Sequence, residues 1–192
     1  MTNYVTDVQK LYVAYFSRPA DTVGLAFWTG VLAQDQVSGL AQISEAFASS
    51  AEYQQSYAGL DNAGVVDAVY HNLFGREGDA TGVAFWIKAL DNHDVTVDDL
   101  VMEMAFNGAQ GDDKVIVNGR VSVSKVFTEH LDLPAEQAAY SGVAANAIAK
   151  AFIGTIVDLP SGAAAIDPGV IDAKIAEIVG TPTAIDVAHP LA

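Results

Sequence analysis

Apolar residues recur at helical spacing near the N-terminus, and the same spacing returns later in the chain. The first set falls at positions i, i+3, i+4, i+7 and i+8, and the second set repeats that spacing. The two sets are Val8, Leu11, Tyr12, Tyr15, Phe16 and Val66, Val69, Tyr70, Leu73, Phe74. This spacing places all five side chains on one helix face, so each stretch is predicted to be an amphipathic α-helix.

These two helices begin an internal duplication with a shift of 58 residues. The stretch RPADTVGLAFW (residues 18–28) returns as REGDATGVAFW (residues 76–86). The identical pairs are Tyr12/Tyr70, Phe16/Phe74, Arg18/Arg76, Asp21/Asp79, Gly24/Gly82, Ala26/Ala84, Phe27/Phe85, Trp28/Trp86 and Leu32/Leu90. Such self-similarity indicates that one supersecondary unit has been copied. Each unit is predicted to contain three helices.

The repeated polar and glycine residues suit the junction between the first two helices of a unit. Asp21 and Asp79 are predicted N-caps, because a carboxylate accepts hydrogen bonds from free N–H groups at a helix start. Gly24 and Gly82 are poor helix formers. We therefore expect the preceding helix, or its terminal aromatic residue, to approach the backbone closely at both glycines.

The repeated arginines and tryptophans also fit a helical hairpin. Arg18 and Arg76 are predicted to meet the negative end of the preceding helix and to reach the capping aspartate. Trp28 and Trp86 are predicted to continue the buried face of the second helix. The alternative interpretation is a pair of ligand sites, since aromatic and arginine side chains are common in carbohydrate-binding surfaces. Helical spacing favours the structural interpretation for the tryptophans.

The third helix of each unit is predicted to start after Ser38 or Thr96 as N-cap. Further on, apolar spacing predicts a helix over 118–131 ended by Pro134, and another with Ile148, Phe152 and Ile156 on one face. A last helix is predicted to begin at Asp167-Pro168 and to end at Gly180. No alternating stretch long enough for a strand is present.

The predicted fold is therefore all-α, a multi-helix bundle built from a duplicated three-helix unit and a C-terminal helical segment. The predicted boundaries are residues 1–58 and 59–110 for the repeat units, 111–181 for C-terminal helices packed on them, and 182–192 for a tail or linker. Together these parts are expected to form one compact domain.

The amino-acid composition and net charge limit the classes of molecule that such a bundle could bind. The 192 residues are 51% hydrophobic and 17% charged, so a packed core is expected. Nine basic residues against 24 acidic ones give a net charge of −15. That surface repels nucleic acids and anionic membranes but attracts cations, Ca²⁺ in particular. Without cysteine, disulfides and thiolate chemistry are excluded.

Residues that could carry chemistry are sparse. The four histidines are scattered, and no zinc, phosphate-loop or nucleophile-elbow motif is present. The protein is therefore predicted not to be an enzyme, although a glycosidase pair of distant carboxylates stays open as an alternative. Asp91, Asp94, Asp112 and Asp113 could supply oxygen ligands for Ca²⁺, although the sequence favours their interpretation as solvated loop acids.

The duplicated segments resemble a known bacterial family. LYVAYFSRPADTVGLAFWTGVLA (residues 11–33) and VYHNLFGREGDATGVAFWIKAL (residues 69–90) are similar to the LYxxxLGRxPDxxGLxYW units of an uncharacterised helical domain of S-layer and RTX-type surface proteins. The resemblance covers about residues 4–110. Ser17 replaces the family's usual glycine, and Ala20 and Gly78 replace its proline.

This resemblance implies an extracellular module, exported by type I secretion and often anchoring an S-layer to lipopolysaccharide. The absence of a basic n-region and apolar h-region from MTNYVTDVQK fits that route. The chain is then expected to be the N-terminal module of a longer protein, binding surface polysaccharide with help from Ca²⁺. A weaker similarity to phycobilisome linker domains supports the alternative, a protein–protein assembly or self-association module.

Overall fold

The computed structural model describes residues 4–181, which form twelve α-helices and one short π-helix without any strand. The all-α prediction is confirmed. The predicted tail, 182–192, lies outside the described residues. None of the described helices is long and apolar enough to cross a membrane.

The two repeat units have matching helix order. The first contains α1 (Tyr4–Phe16), α2 (Thr22–Gln34), α3 (Gln36–Ala48) and α4 (Ala51–Tyr57). The second contains α5 (Asn62–Phe74), α6 (Ala80–Asp91), α7 (Val97–Glu103) and a π-helix (Met104–Gly108). The three predicted helices are present in each copy. The fourth element was not predicted, and it differs between the copies.

One predicted helix start in the first unit is wrong. Asp35, and not Ser38, caps α3: its Oδ1 accepts from the backbone N–H of Val37 at 3.0 Å, and Ser38 lies inside the helix. The Thr96 prediction is confirmed, because its hydroxyl accepts from the Asp99 N–H at 3.2 Å while Asp99 accepts from the Thr96 N–H. The N-cap of α3 therefore lies three residues before the predicted one.

The C-terminal segment contains five helices. They are α8 (Gly111–His130), α9 (Pro134–Ala139), α10 (Gly142–Gly154), α11 (Leu159–Ala165) and α12 (Pro168–Val179). The predicted helix over 118–131 in fact starts at Gly111, and Pro134 begins α9 as its first residue. The predicted α12 start is confirmed, since Asp167 Oδ1 accepts from the Gly169 N–H at 2.9 Å.

Buried side chains form two clusters, and α8 contributes to both. The first cluster fills the repeat units and includes Val117 and Val121 of α8. The second fills the C-terminal segment and includes Val123 and Phe127 of the same helix. Because α8 packs against α1 and α5 as well as α11 and α12, it joins the duplicated half to the C-terminal half.

A buried polar triangle ties α8 to the first unit. Gln9 donates to Thr128 Oγ1 at 2.8 Å, and Thr128 donates to the Ala20 carbonyl at 2.6 Å. The Ala20 N–H in turn donates to Gln9 Oε1 at 3.1 Å. Every one of these groups is thereby satisfied inside the core, which fixes the loop before α2 against α8.

Candidate functional site

The duplicated aspartates cap helices as predicted. Asp21 Oδ1 accepts from the Gly24 N–H at 2.7 Å at the start of α2. Asp79 Oδ1 accepts from the Gly82 N–H at 2.8 Å at the start of α6. Each carboxylate satisfies a backbone donor that has no partner inside its own helix.

The duplicated glycines are confirmed as points of close approach. A Cβ atom placed on Gly24 would overlap the Tyr12 hydroxyl, and one on Gly82 would overlap the Tyr70 hydroxyl. Tyr12 and Tyr70 are buried aromatic residues of the preceding helix in each unit. The same Tyr–Gly packing contact therefore occurs in both repeat units.

The duplicated arginines do not reach the capping aspartates, so that prediction is wrong. Arg18 Nη2 lies 2.8 Å from Glu52 Oε2 of α4, and Arg76 Nη2 lies 2.6 Å from Asp113 Oδ2 of α8. In both pairs Nε donates to the same carboxylate, giving the two-pronged geometry that a guanidinium favours. One oxygen of each capping aspartate already accepts from a backbone N–H, and α4 and α8 bring other acids to the two arginines.

Glu52 lies between two cations. Lys150 Nζ of α10 is 3.1 Å from Glu52 Oε1, while Arg18 holds the other oxygen. Burial of Glu52 opposes its charge, but these partners hold the pKa of its carboxyl below the usual value. Burial of Arg18 likewise opposes its charge, yet hydrogen bonds to Glu52 raise its pKa. This network connects the first unit to α10.

The prediction that the two tryptophans continue a buried helix face is confirmed in part, because both pack against the first cluster of buried residues. Trp28 and Trp86 are only partly buried, each with an edge-to-face partner, Phe27 or Phe85. Phe27 is 60% exposed and Phe85 is 61% exposed. The only sequence observation that could have marked Phe27 and Phe85 as candidate site residues was their identity in both copies. An exposed phenylalanine beside a partly buried tryptophan offers an apolar surface at the edge of the core.

One of these pairs borders a groove of about 750 Å³, called here the aromatic groove. Its apolar walls are Leu40, Phe85, Trp86, Val95, Met102 and Phe106. Leu40 comes from α3, so both repeat units contribute. A volume in the range of roughly 300–1,000 Å³ suits a small molecule or one residue of a polymer.

Three polar side chains complete the aromatic groove: Asp99, Glu103 and Asn107. Asp99 Oδ2 accepts from the Thr96 hydroxyl at 2.7 Å, and Glu103 Oε2 accepts from Asn107 Nδ2 at 3.0 Å. The second oxygen of each carboxylate has no hydrogen bond to another described residue. The groove therefore combines aromatic surface with free acceptors, which is the combination that positions hydroxyl-bearing ligands.

The four calcium candidates are not brought together. Asp91 accepts from Asn62 at 2.7 Å, Asp94 accepts weakly from Asn92 at 3.4 Å, and Asp112 is an exposed residue of the first turn of α8. Both carboxylate oxygens of Asp113 are held by Arg76. Within residues 4–181, no group of three or more histidine, aspartate and glutamate side chains could hold a metal ion. Calcium binding stays a prediction.

Comparison with known proteins adds one family. Residues 44–106 match the family model of a domain of unknown function, DUF4214. The match begins inside α3 and ends in the π-helix, so it spans the second unit and the end of the first. Searches of curated proteins and of solved structures gave no match. The matched segment includes every residue of the aromatic groove except Leu40 and Asn107.

Proposed function

We propose that this protein is a non-enzymatic, extracellular module that holds saccharide units of bacterial surface polysaccharide in the aromatic groove. The carrying observation is the juxtaposition of exposed Phe85 and half-buried Trp86 with the free carboxylate oxygens of Asp99 and Glu103. Sugar rings present apolar C–H faces that pack on aromatic rings, and hydroxyl groups that donate to carboxylates.

The charge of the groove supports a role for Ca²⁺ when the polysaccharide is anionic. Asp99 and Glu103 are exposed acids in a chain of net charge −15, so they repel phosphate and carboxylate groups. A Ca²⁺ ion prefers carboxylate and hydroxyl oxygens and can bridge the two anions. The resemblance to S-layer and RTX-type domains supports lipopolysaccharide as the target and type I secretion as the export route.

The test is a pull-down on the purified polysaccharide part of lipopolysaccharide, with Ca²⁺ or with a chelator. Wild-type protein is expected to be retained with Ca²⁺ and released by the chelator. Phe85→Ala removes an aromatic contact and should weaken retention about tenfold. Phe27→Ala is the matched control, because Phe27 has the same sequence context and exposure outside the aromatic groove. Failure of retention in both conditions, or equal retention by both variants, would contradict the proposal.

A second candidate function is self-association, and one observation favours it. Val23 is 76% exposed and Phe27 is 60% exposed, and they lie one turn apart on α2. Such a stripe suits a helix–helix contact between copies of the chain. Light scattering without polysaccharide should then show concentration-dependent growth in mass, reduced by Phe27→Ala. A constant monomer mass at all concentrations would eliminate this candidate.

A further inference from the structure

A second cavity, of about 450 Å³, lies between α1, α5, α8 and α10. Its polar lining includes Ser17, His71, Asn72, Arg120 and Lys150, and it is called here the basic cavity. None of its lining residues belongs to the aromatic groove. Its size also falls in the range of small-molecule sites, so two different ligand groups can be accommodated on one molecule.

Arg120 is a buried cation without an acidic partner. Its side chain is among the largest fully buried ones, with 2% of the residue exposed. Nε donates to the Ile156 carbonyl at 3.1 Å, and Nη1 donates to the His71 and Asn72 carbonyls at the end of α5. No carboxylate in residues 4–181 lies within ion-pair distance of it. Burial lowers the pKa of Arg120 to about 10, so the side chain still carries its charge at neutral pH.

Ser17 adds an unused hydrogen-bonding group to the same cavity. Its Oγ is buried and has no hydrogen-bond partner among the described residues. Ser17 also has a φ of 55°, in the left-handed region that favours glycine, and its equivalent in the second unit is Gly75. An unpaired buried hydroxyl destabilises the fold, and a hydrogen bond to a ligand oxygen would remove that penalty.

Basic side chains are concentrated around the basic cavity of an otherwise acidic protein. Three of the nine basic side chains, Arg18, Arg120 and Lys150, are grouped here, and Glu52 alone offsets two of them. Asp67 lies 3.6 Å from His71 on the exposed side of α5, and Asp98 and Asp99 lie near the hydroxyl of the lining residue Tyr15. A buried charge is normally paired with an opposite charge. Arg120 has no such partner within residues 4–181, and a bound anion would provide it.

We propose that the basic cavity binds an oxyanion, the carboxylate or phosphate group of a ligand about as large as a monosaccharide. The anion would supply the counter-charge for Arg120, a second acidic partner for Lys150, and an acceptor for the Ser17 hydroxyl. The site is independent of the aromatic groove, so failure of polysaccharide retention would leave it untouched.

Isothermal titration calorimetry at constant ionic strength tests this with glucuronate, glucose 6-phosphate and glucose as probes. At least one of the two anions should bind, and glucose should not. Binding of glucuronate alone identifies a carboxylate site, and binding of glucose 6-phosphate alone identifies a phosphate site. Binding of neither anion, or equal binding of glucose, overturns the proposal.

Two variants and one control locate the site. Ser17→Gly should weaken binding about fivefold while stabilising the fold, because glycine accepts the left-handed φ. Lys150→Gln should weaken binding about tenfold. Lys174→Gln is the control, since Lys174 lies on α12 and pairs with Glu177 at 2.6 Å. Unchanged affinity in both cavity variants, or an equal loss in the control, refutes the assignment.

Discussion

At the residue scale, the Tyr–Gly contact explains why a poor helix former recurs in the first turn of α2 and α6. The buried Tyr12 and Tyr70 hydroxyls occupy the space where a side chain on Gly24 or Gly82 would begin. The cost of a glycine in a helix is therefore offset by the packing of the preceding helix. Glycine is required here for space and not for an unusual backbone angle.

This contact predicts a coupled pair of substitutions. Gly24→Ala should lower the free energy of unfolding by about 1–3 kcal/mol through overpacking. Tyr12→Phe removes the overlapping oxygen, so the double variant should recover much of that loss in urea unfolding. Gly30→Ala is the control on the same helix, because no atom lies near its Cβ position, and it should be neutral or stabilising. Additive losses in the double variant would show that the overlap is not the cause.

The cap residues give a second prediction at this scale. Asp79→Ala removes the acceptor for the Gly82 N–H and should lower the free energy of unfolding by about 1 kcal/mol, with retention on polysaccharide unchanged. Asp79→Asn keeps an acceptor at the same place and should retain most of the stability. Thermal or urea unfolding measures both. Lost retention at unchanged stability would assign Asp79 to the binding site instead.

At the element scale, periodicity predicted the long helices better than the short ones. The apolar stripes predicted α1 and α5, and the Asp167-Pro168 pair predicted the start of α12. Helices α4, α9 and α11 have six or seven residues and no complete stripe, so their stability comes from packing that a local pattern does not contain. The start of α8 was missed because Gly111, Asp112 and Asp113 have the composition of a loop.

The candidate site was less predictable than the fold. Aromatic residues on a helical stripe indicate a core, and sequence alone does not tell which faces neighbouring helices leave open. Phe85 is exposed because no element within residues 4–181 covers that side of α6, and Leu40 joins the groove from the other unit. The bidentate partners Glu52 and Asp113 lie in the elements after the third helix, 34 and 37 residues from their arginines.

The link between α4 and α10 predicts an acid-dependent stability. Because the pKa of Glu52 is lowered by its partners, its contribution is complete above its unfolded value, near 4.5, and is lost as the pH falls through the folded value. Glu52→Gln should therefore cost roughly 1–3 kcal/mol at pH 7, and this difference from wild type should shrink below about pH 4.5.

Urea unfolding across this pH range measures the difference. Glu129→Gln is the matched control, because Glu129 is exposed on α8 and has no ion-pair partner within the described part of the chain. It should leave the pH profile of stability unchanged. A cost for Glu52→Gln that persists undiminished in acid would mean that the carboxylate charge is not what stabilises the link.

At the scale of the whole molecule, α8 makes the two clusters of buried residues interdependent. The same helix buries Val121 in the repeat cluster and Val123 in the C-terminal cluster. Losing either cluster removes the support of the other, so one cooperative transition is expected. The two tryptophans lie in α2 and α6, which makes their fluorescence a local probe of the repeat units.

Cooperative unfolding is tested with a substitution far from the tryptophans. Ile175→Val in α12 shortens a buried side chain and should cost about 0.5–1.5 kcal/mol. Tryptophan fluorescence and far-ultraviolet circular dichroism should give coincident urea curves for wild type, and both should shift equally in the variant. An unshifted fluorescence curve would show that the two halves unfold separately.

Helix α8 also sets this bundle apart from a solenoid. It carries Arg120 to the end of α5 and Thr128 to the loop after α1, two contacts that lie eight positions apart, or about 12 Å along the helix. Both repeat units therefore contact one shared helix, whereas each repeat of a solenoid contacts only its neighbours. A third copy inserted between the second unit and α8 would need a contact of the same kind, so lengthening the protein by duplication also requires a further α8 side chain that reaches the new unit.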